Sequence, residues 1–172
     1  MLPLLSSLLI FLFASAVSSA QMLPAPVTTF ILIRHAEKAL TPASEDPELS
    51  ADGLKRAEKL ASLLQSVPLA AVYATPYKRT TNTALPLAKA QGLPIQSYSA
   101  KTSTAFMDTL LHKHAGATIL VVGHSNTVPQ MLNALTASEK FPPFDDTDYD
   151  NIFLVTLTRL GNASVTRLQL KM

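Results

Sequence analysis

Two of the four histidines, His35 and His124, stand immediately after the two most strand-like apolar runs, Phe30 Ile31 Leu32 Ile33 and Thr118 to Val122. Arg34 sits beside the first of them, and Arg79 falls in the opening turn of the helix expected after a third run, Ala70 to Ala74. In open α/β sheets ligands bind at the carboxyl ends of the strands, so this placement predicts that Arg34, His35, Arg79 and His124 share one cleft. Two guanidinium groups and two imidazoles in one place have no obvious counter-charge. A dianionic phosphate would supply it, and arginine offers the planar paired donors that phosphate oxygens accept.

Rival chemistries fit the same residues less well. Gly123 His124 Ser125 Asn126 Thr127 partly matches a serine-hydrolase elbow, but its last position is not glycine and no histidine follows Ser125. His112 and His114, two positions apart on an expected helix, point to different sides, which argues against a metal pair and for surface residues. The five glycines are scattered and no Gly-Lys-Ser/Thr occurs, so phosphate would be held by side chains rather than by a glycine-rich loop. With no cysteine, thiolate zinc sites, disulfides and a cysteine nucleophile are all excluded.

The elements that must position these groups follow from pattern. The 172 residues, 48% hydrophobic and 15% charged, suit one globular domain, and a net charge of +2 is too small for a nucleic-acid footprint. From Thr29 onward short β-branched runs alternate with amphipathic stretches, which predicts an α/β fold with helices packed on a mainly parallel sheet. Ser50 is placed to cap a helix carrying Leu54, Ala57, Leu60, Ala61 and Leu64 on one face. Thr75 and Pro76 read as N-cap and N1 of the next helix, which Pro86 should kink or interrupt. A weak strand is expected at Ile95 to Tyr98, a helix over Ser103 to His114 and another near Thr127 to Leu135. Ile152 to Thr158 and Ser164 to Leu170 read as two strands joined by a turn at Gly161 and Asn162. The acidic residues Asp145, Asp146, Asp148 and Asp150 read as a solvated loop.

Ile33 Arg34 His35 Ala36 Glu37, the entry Leu49 Ser50 Ala51 Asp52 Gly53, Thr75 Pro76 Tyr77 Lys78 Arg79 Thr80 with Thr83 Ala84, and Gly123 His124 Ser125 together resemble the histidine phosphatase superfamily, also called phosphoglycerate-mutase-like. The blocks span nearly the whole domain in the family's order. The resemblance implies a three-layer α/β/α sandwich with a mixed, mainly parallel sheet. It also implies that His35 becomes transiently phosphorylated while Arg34, Arg79 and His124 bind the phosphoryl group, with no metal and no other cofactor. Ala36 stands where the family usually has glycine, a change compatible with close backbone approach if φ stays negative. The family's usual proton donor has no counterpart, because its places offer Ser97 to Thr104 and Asn126. Glu37 and Asp108 are the candidate general acids.

No charged residue precedes Arg34, and Leu2 to Val17 is almost wholly apolar before Ser18, Ser19 and Ala20. Residues 1–20 therefore read as a signal peptide, or as a membrane anchor if left uncut, residues 21–28 as a linker and 29–172 as the phosphatase domain. The expectation is an exported, metal-independent enzyme acting on a phosphorylated small molecule or phosphoprotein, with no nucleic-acid partner and with membrane contact only through an uncleaved leader. The missing acid leaves two alternatives: a phosphohistidine protein phosphatase, whose leaving group needs no acid, and a non-catalytic phosphate-ligand binding module.

Overall fold

Consecutive apolar residues make a strand when both of its faces are covered, and β1 (Thr28–Arg34) is such a strand. A computed structural model describes residues 24–40 and 44–172. The leader assignment to residues 1–20 lies outside these residues. Of the expected linker, residues 24–27 form no regular element, and Thr28 already belongs to β1. Phe30 and Leu32 pack into one core, Ile31 and Ile33 into the other, and all four are buried. The two cores put helices on both faces of one sheet, the three-layer α/β/α arrangement.

The elements continue as α1 (Ala51–Leu64), β2 (Ala71–Ala74), α2 (Lys78–Ala90), β3 (Ile95–Ser97), α3 (Ser103–Lys113), β4 (Thr118–Gly123), α4 (Thr127–Thr136), β5 (Asn151–Leu157) and β6 (Ala163–Gln169). The six strands lie in the order β3-β2-β4-β1-β5-β6. Pairings β1 with β4, β2 with β4 and β2 with β3 are parallel, whereas β1 with β5 and β5 with β6 are antiparallel. The sheet is thus mixed and mainly parallel. Gly161, at φ +80°, turns the β5–β6 hairpin where glycine can adopt the left-handed conformation.

Three local expectations are corrected. Leu54 does not join the buried face of α1: it is 53% exposed, and Arg56 is turned inward instead, at 8%. The carboxylates of Glu37 and Asp150 and the Leu170 carbonyl draw Arg56 in. Thr75 does not cap α2, whose N-cap is Tyr77, because its hydroxyl is turned into the interior; the Lys78 N–H is met instead by Asp46 Oδ1 at 3.0 Å. Pro86 neither ends nor interrupts α2, which runs through it from Lys78 to Ala90. Proline forfeits one backbone bond, but Ala84, Leu87 and Ala88 on either side of it are buried in the core shared with α1 and the sheet.

Candidate active site

Register brings the two histidines together. In the parallel pair β1–β4, Arg34 is opposite Gly123, so His35 and His124 are the next residues to leave the sheet on neighbouring strands. The His35 N–H donates to the Gly123 carbonyl at 2.9 Å, and the two imidazole rings stand edge to face with centroids 5.4 Å apart. Gly123 is required by closeness: a Cβ there would fall 2.7 Å from Thr127 Oγ1 and 3.0 Å from the Tyr98 hydroxyl. Thr127 uses that oxygen to accept the His124 N–H at 2.9 Å, fixing the turn into α4.

The segment after β1 is held from two sides. The Ala36 N–H donates to Thr83 Oγ1 of α2 at 2.9 Å, and that hydroxyl donates to the Arg79 carbonyl at 2.7 Å. Ala36 is buried and is not among the residues with positive φ, so alanine meets the condition set for it. On the other side, Ser50 Oγ accepts the Gly53 N–H at 3.1 Å as the α1 N-cap, and the Ser50 N–H reaches the Glu37 carbonyl at 2.8 Å. Gly53 packs directly on the Glu37 backbone, where any Cβ would overlap it.

His35 Nδ1 donates to the carbonyl of Ala36 at 2.8 Å; a carbonyl only accepts, so the neutral ring carries its proton on Nδ1 and leaves a lone pair on Nε2. Burial lowers the His35 pKa from 6.5 to about 3, against the bond to Ala36 and with help from His124, Arg34 and Arg79. His124 is lowered to about 4 by burial, then by Arg79 and Arg34.

These shifts have a consequence for stability. An unfolded chain takes up two protons at imidazoles with pKa 6.5, and the folded chain refuses them until the pH nears about 4 and about 3. Stability from this source is fully present above 6.5 and declines as the pH falls through that window. Urea denaturation across it should show His124→Asn losing less stability on acidification than the wild type. Equal losses would count against the buried neutral imidazole.

Each arginine is clamped by an aromatic ring. Arg34 is buried, donates from Nη1 to the carbonyls of Asp145 at 2.7 Å and Asp148 at 3.1 Å, and lies 4.1 Å from the Tyr149 ring centroid. Its Nε is the one buried side-chain nitrogen or oxygen without a partner among the described residues. Arg79 lies 4.4 Å from the Tyr77 ring centroid, and Tyr77 also meets the His124 ring at 5.4 Å. Stacking of this kind fixes a guanidinium plane without consuming its N–H donors. Contrary to the expected lack of counter-charge, Asp46 approaches Arg79 at 3.7 Å and Asp146 approaches Arg34 at 3.9 Å.

Arg34, His35, Arg79 and His124 all line one open cleft of about 540 Å³, together with Lys38, Tyr77, Lys101, Asp146 and the first residues of α4. The helix N-terminus adds N–H donors and a favourable dipole for an anion. The candidate acids are not brought in. Glu37 lies outside the cleft lining, where Arg56 grips its carboxylate through Nε at 3.0 and 2.9 Å and through Nη2 at 2.7 Å. Burial disfavours the charged carboxylate, but the Arg56 hydrogen bonds outweigh it and lower the pKa, so Glu37 has no proton to give near neutral pH. Asp108 is on α3 near the start of β1, 3.5 Å from His112. Among the residues lining the cleft the one carboxylate is Asp146, whose side chain is fully exposed.

The acidic loop is more than a solvated loop, since its backbone carbonyls hold Arg34 and Asp150 pairs with Arg56 at 2.8 Å. Nor is His114 a free surface residue, because its Nε2 is 2.9 Å from the Tyr73 hydroxyl. Thr75, Thr80, Tyr77 and Tyr149 are partners of the site that the sequence reading did not identify.

Residues 30–100 match the family model of the histidine phosphatase superfamily (branch 1). Over 70 residues the chain is 41% identical to phosphoserine phosphatase 1 of Hydrogenobacter thermophilus, a match covering 38% of this chain and 33% of that protein. The chain therefore spans about a third of the length of that curated relative. The fold superposes on the protein histidine phosphatase SixA complexed with tungstate with a TM-score of 0.68 and 23% identity, covering 82% of this chain and 96% of that one. It also superposes on phosphoserine phosphatase from Entamoeba histolytica in complex with 3-phosphoglyceric acid, with a TM-score of 0.67, 16% identity, and coverage of 84% and 98%. At these identities the two structures establish the phosphoglycerate-mutase-like fold. Over residues 30–100 the chain is similar to the histidine phosphatase superfamily, and its fold agrees with that similarity. His124 lies beyond the matched stretch, and it is the strand register that sets it against His35.

Proposed function

We propose that this protein is an exported, metal-independent phosphatase that hydrolyses phosphomonoesters through a phosphohistidine on His35. The observation that carries the reading is the unprotonated His35 Nε2 of the neutral ring, set in a cleft with Arg34 and Arg79. Nε2 attacks phosphorus as the bond from phosphorus to the leaving oxygen breaks, and that oxygen takes a proton from water. A water molecule then attacks phosphorus, the N–P bond breaks, and inorganic phosphate leaves with the ring restored. Such a transfer needs in-line placement and charge on the equatorial oxygens more than covalent chemistry. The guanidinium groups supply that charge where a metal ion otherwise would, and a cationic cleft is a poor host for a divalent cation. Export is supported by the apolar run Leu2 to Val17 before the first charge at Arg34; a mature N-terminus at Gln21 would bear it out.

A second reading, a phosphohistidine protein phosphatase, draws on the absence of a fixed carboxylic acid from the cleft lining, where only the exposed Asp146 occurs. An imidazole leaving group needs no such acid, and the open cleft would admit a protein side chain. The experiment for both is turnover of an activated aryl phosphate in the presence of a chelator, with alkaline quenching to trap the intermediate. An alkali-stable, acid-labile phosphoryl group at residue 35 is the expected result. Turnover that stops with the chelator, or phosphate carried on another residue, would refute the leading reading. Failure on every ester with turnover of a phosphohistidine peptide would select the second. Binding of phosphate with no turnover of either substrate would leave a non-catalytic binding module.

A further inference from the structure

Thr75 leaves β2 beside the point where His124 leaves β4, because Ala74 is paired with Val122. Its hydroxyl is fully buried and lies 2.9 Å from His124 Nε2 and 2.9 Å from Thr80 Oγ1. Thr80 Oγ1 lies in turn 2.8 Å from the Thr75 carbonyl oxygen and 2.7 Å from that of Tyr77. Carbonyl oxygens only accept, so the single Thr80 proton is directed at them, and Thr80 receives its bond from Thr75. With its only proton so committed, Thr75 must accept from His124, which puts the ring proton on Nε2. The other nitrogen, Nδ1, has no hydrogen-bond partner among the described residues and is not sealed in the interior, and the ring lines the cleft.

We propose that Thr75, backed by Thr80, is a positioning residue that locks His124 in its Nε2–H form, so that the phosphoryl group binds together with one proton shared between His124 Nδ1 and a phosphoryl oxygen. The proposal rests on the phosphatase reading of the cleft. A ring held this way turns a lone pair toward the ligand, and a lone pair repels a phosphoryl oxygen that carries no proton. Either the ring gains a proton at Nδ1 and donates it, or the phosphoryl group keeps one and donates it to the ring; the number of protons bound is the same.

The charged and titratable groups around His124 fit this account. Arg34 and His35 face it from the end of β1, Tyr77 and Arg79 from the start of α2, and Lys38, Lys101 and Asp146 from the rim. Burial, Arg79 and Arg34 hold the ring neutral while the cleft is empty, and a phosphoryl group offsets the two guanidinium charges when it enters. Burial and these arginines leave the free ring with a pKa of about 4, so near neutral pH the proton arrives with the ligand.

Calorimetric titration of the full-length protein with inorganic phosphate tests this, in buffers of differing ionisation enthalpy and just above the second ionisation of phosphate. Wild type and Thr75→Ser should take up at least about half a proton per phosphate bound. In Thr80→Val the Thr75 hydroxyl is released to donate to Nε2, the ring can carry its proton on Nδ1, and the dianion is met directly. Uptake there should fall well below half the wild-type value while phosphate still binds. Nitrogen-15 NMR of the free wild type should show His124 protonated at Nε2. A wild type that binds phosphate without proton uptake, a ring protonated at Nδ1, or equal uptake in Thr80→Val, which would place the proton on His35, would each overturn the proposal with the phosphatase reading intact. A wild type that does not bind phosphate would overturn both.

Discussion

His35→Ala is expected to lower turnover of an activated aryl phosphate by at least about a thousandfold, because the variant has no atom to carry the phosphoryl group between the two displacement steps. Placement of the ring decides this. The β1–β4 register and the His35 N–H bond to the Gly123 carbonyl fix the backbone, and the Nδ1 bond to the Ala36 carbonyl fixes the ring, so Nε2 is the only nucleophilic atom the residue offers. The substitution removes a ring that borders open space rather than one packed on every side, and Arg34, Arg79 and His124 stay held by their own partners. Phosphate binding should therefore survive, and circular dichroism should be that of the wild type. Turnover by a folded His35→Ala variant at the wild-type rate would remove the proposed nucleophile.

The same depressed pKa shapes the pH profile of that reaction. Protonation of Nε2 would stop the attack, but the folded ring resists it until about pH 3, well below the ordinary imidazole value of 6.5. The value of kcat/KM should thus show no loss attributable to His35 as the pH falls from 7 to 5.

The strand ends were legible in the sequence because each apolar run stops abruptly at a polar residue. Ile33 to Arg34 and Val122 through Gly123 to His124 mark where chain leaves sheet, and the parallel register does the rest. Partners supplied by tertiary contact were not legible. Thr75 before Pro76 has the local signature of a helix cap, yet it serves His124 across the β2–β4 pair, while α2 is capped from Asp46 on another segment. Helical periodicity ranks Leu54 above Arg56 for burial, and it cannot register that Glu37, Asp150 and the Leu170 carbonyl wait on the inner side for a guanidinium. The grip on Arg34 by the carbonyls of Asp145 and Asp148 left no trace at all, since every residue carries a carbonyl. What the loop's composition did show, its negative charge, is only part of its role.

Arg79 separates charge from geometry. Arg79→Ala should reduce kcat on an aryl phosphate by about a hundredfold to a thousandfold, the scale of losing one preorganised donor aimed at transition-state charge. Arg79→Lys keeps the charge and should still cost at least about tenfold, which corresponds to about 1.4 kcal/mol of transition-state stabilisation. The Tyr77 ring, 4.4 Å from the guanidinium carbon, presents a flat face to a planar group and leaves its N–H edges free for phosphoryl oxygens. An ammonium has no plane to align and cannot offer two parallel donors. The loss should fall on kcat more than on KM, because the paired donors fit the trigonal phosphoryl group in flight better than the tetrahedral ester at rest. Arg79→Lys at the wild-type rate would show that charge alone suffices, and the aromatic clamp would then be a packing contact. A rise in KM with kcat unchanged would assign Arg79 to ground-state binding.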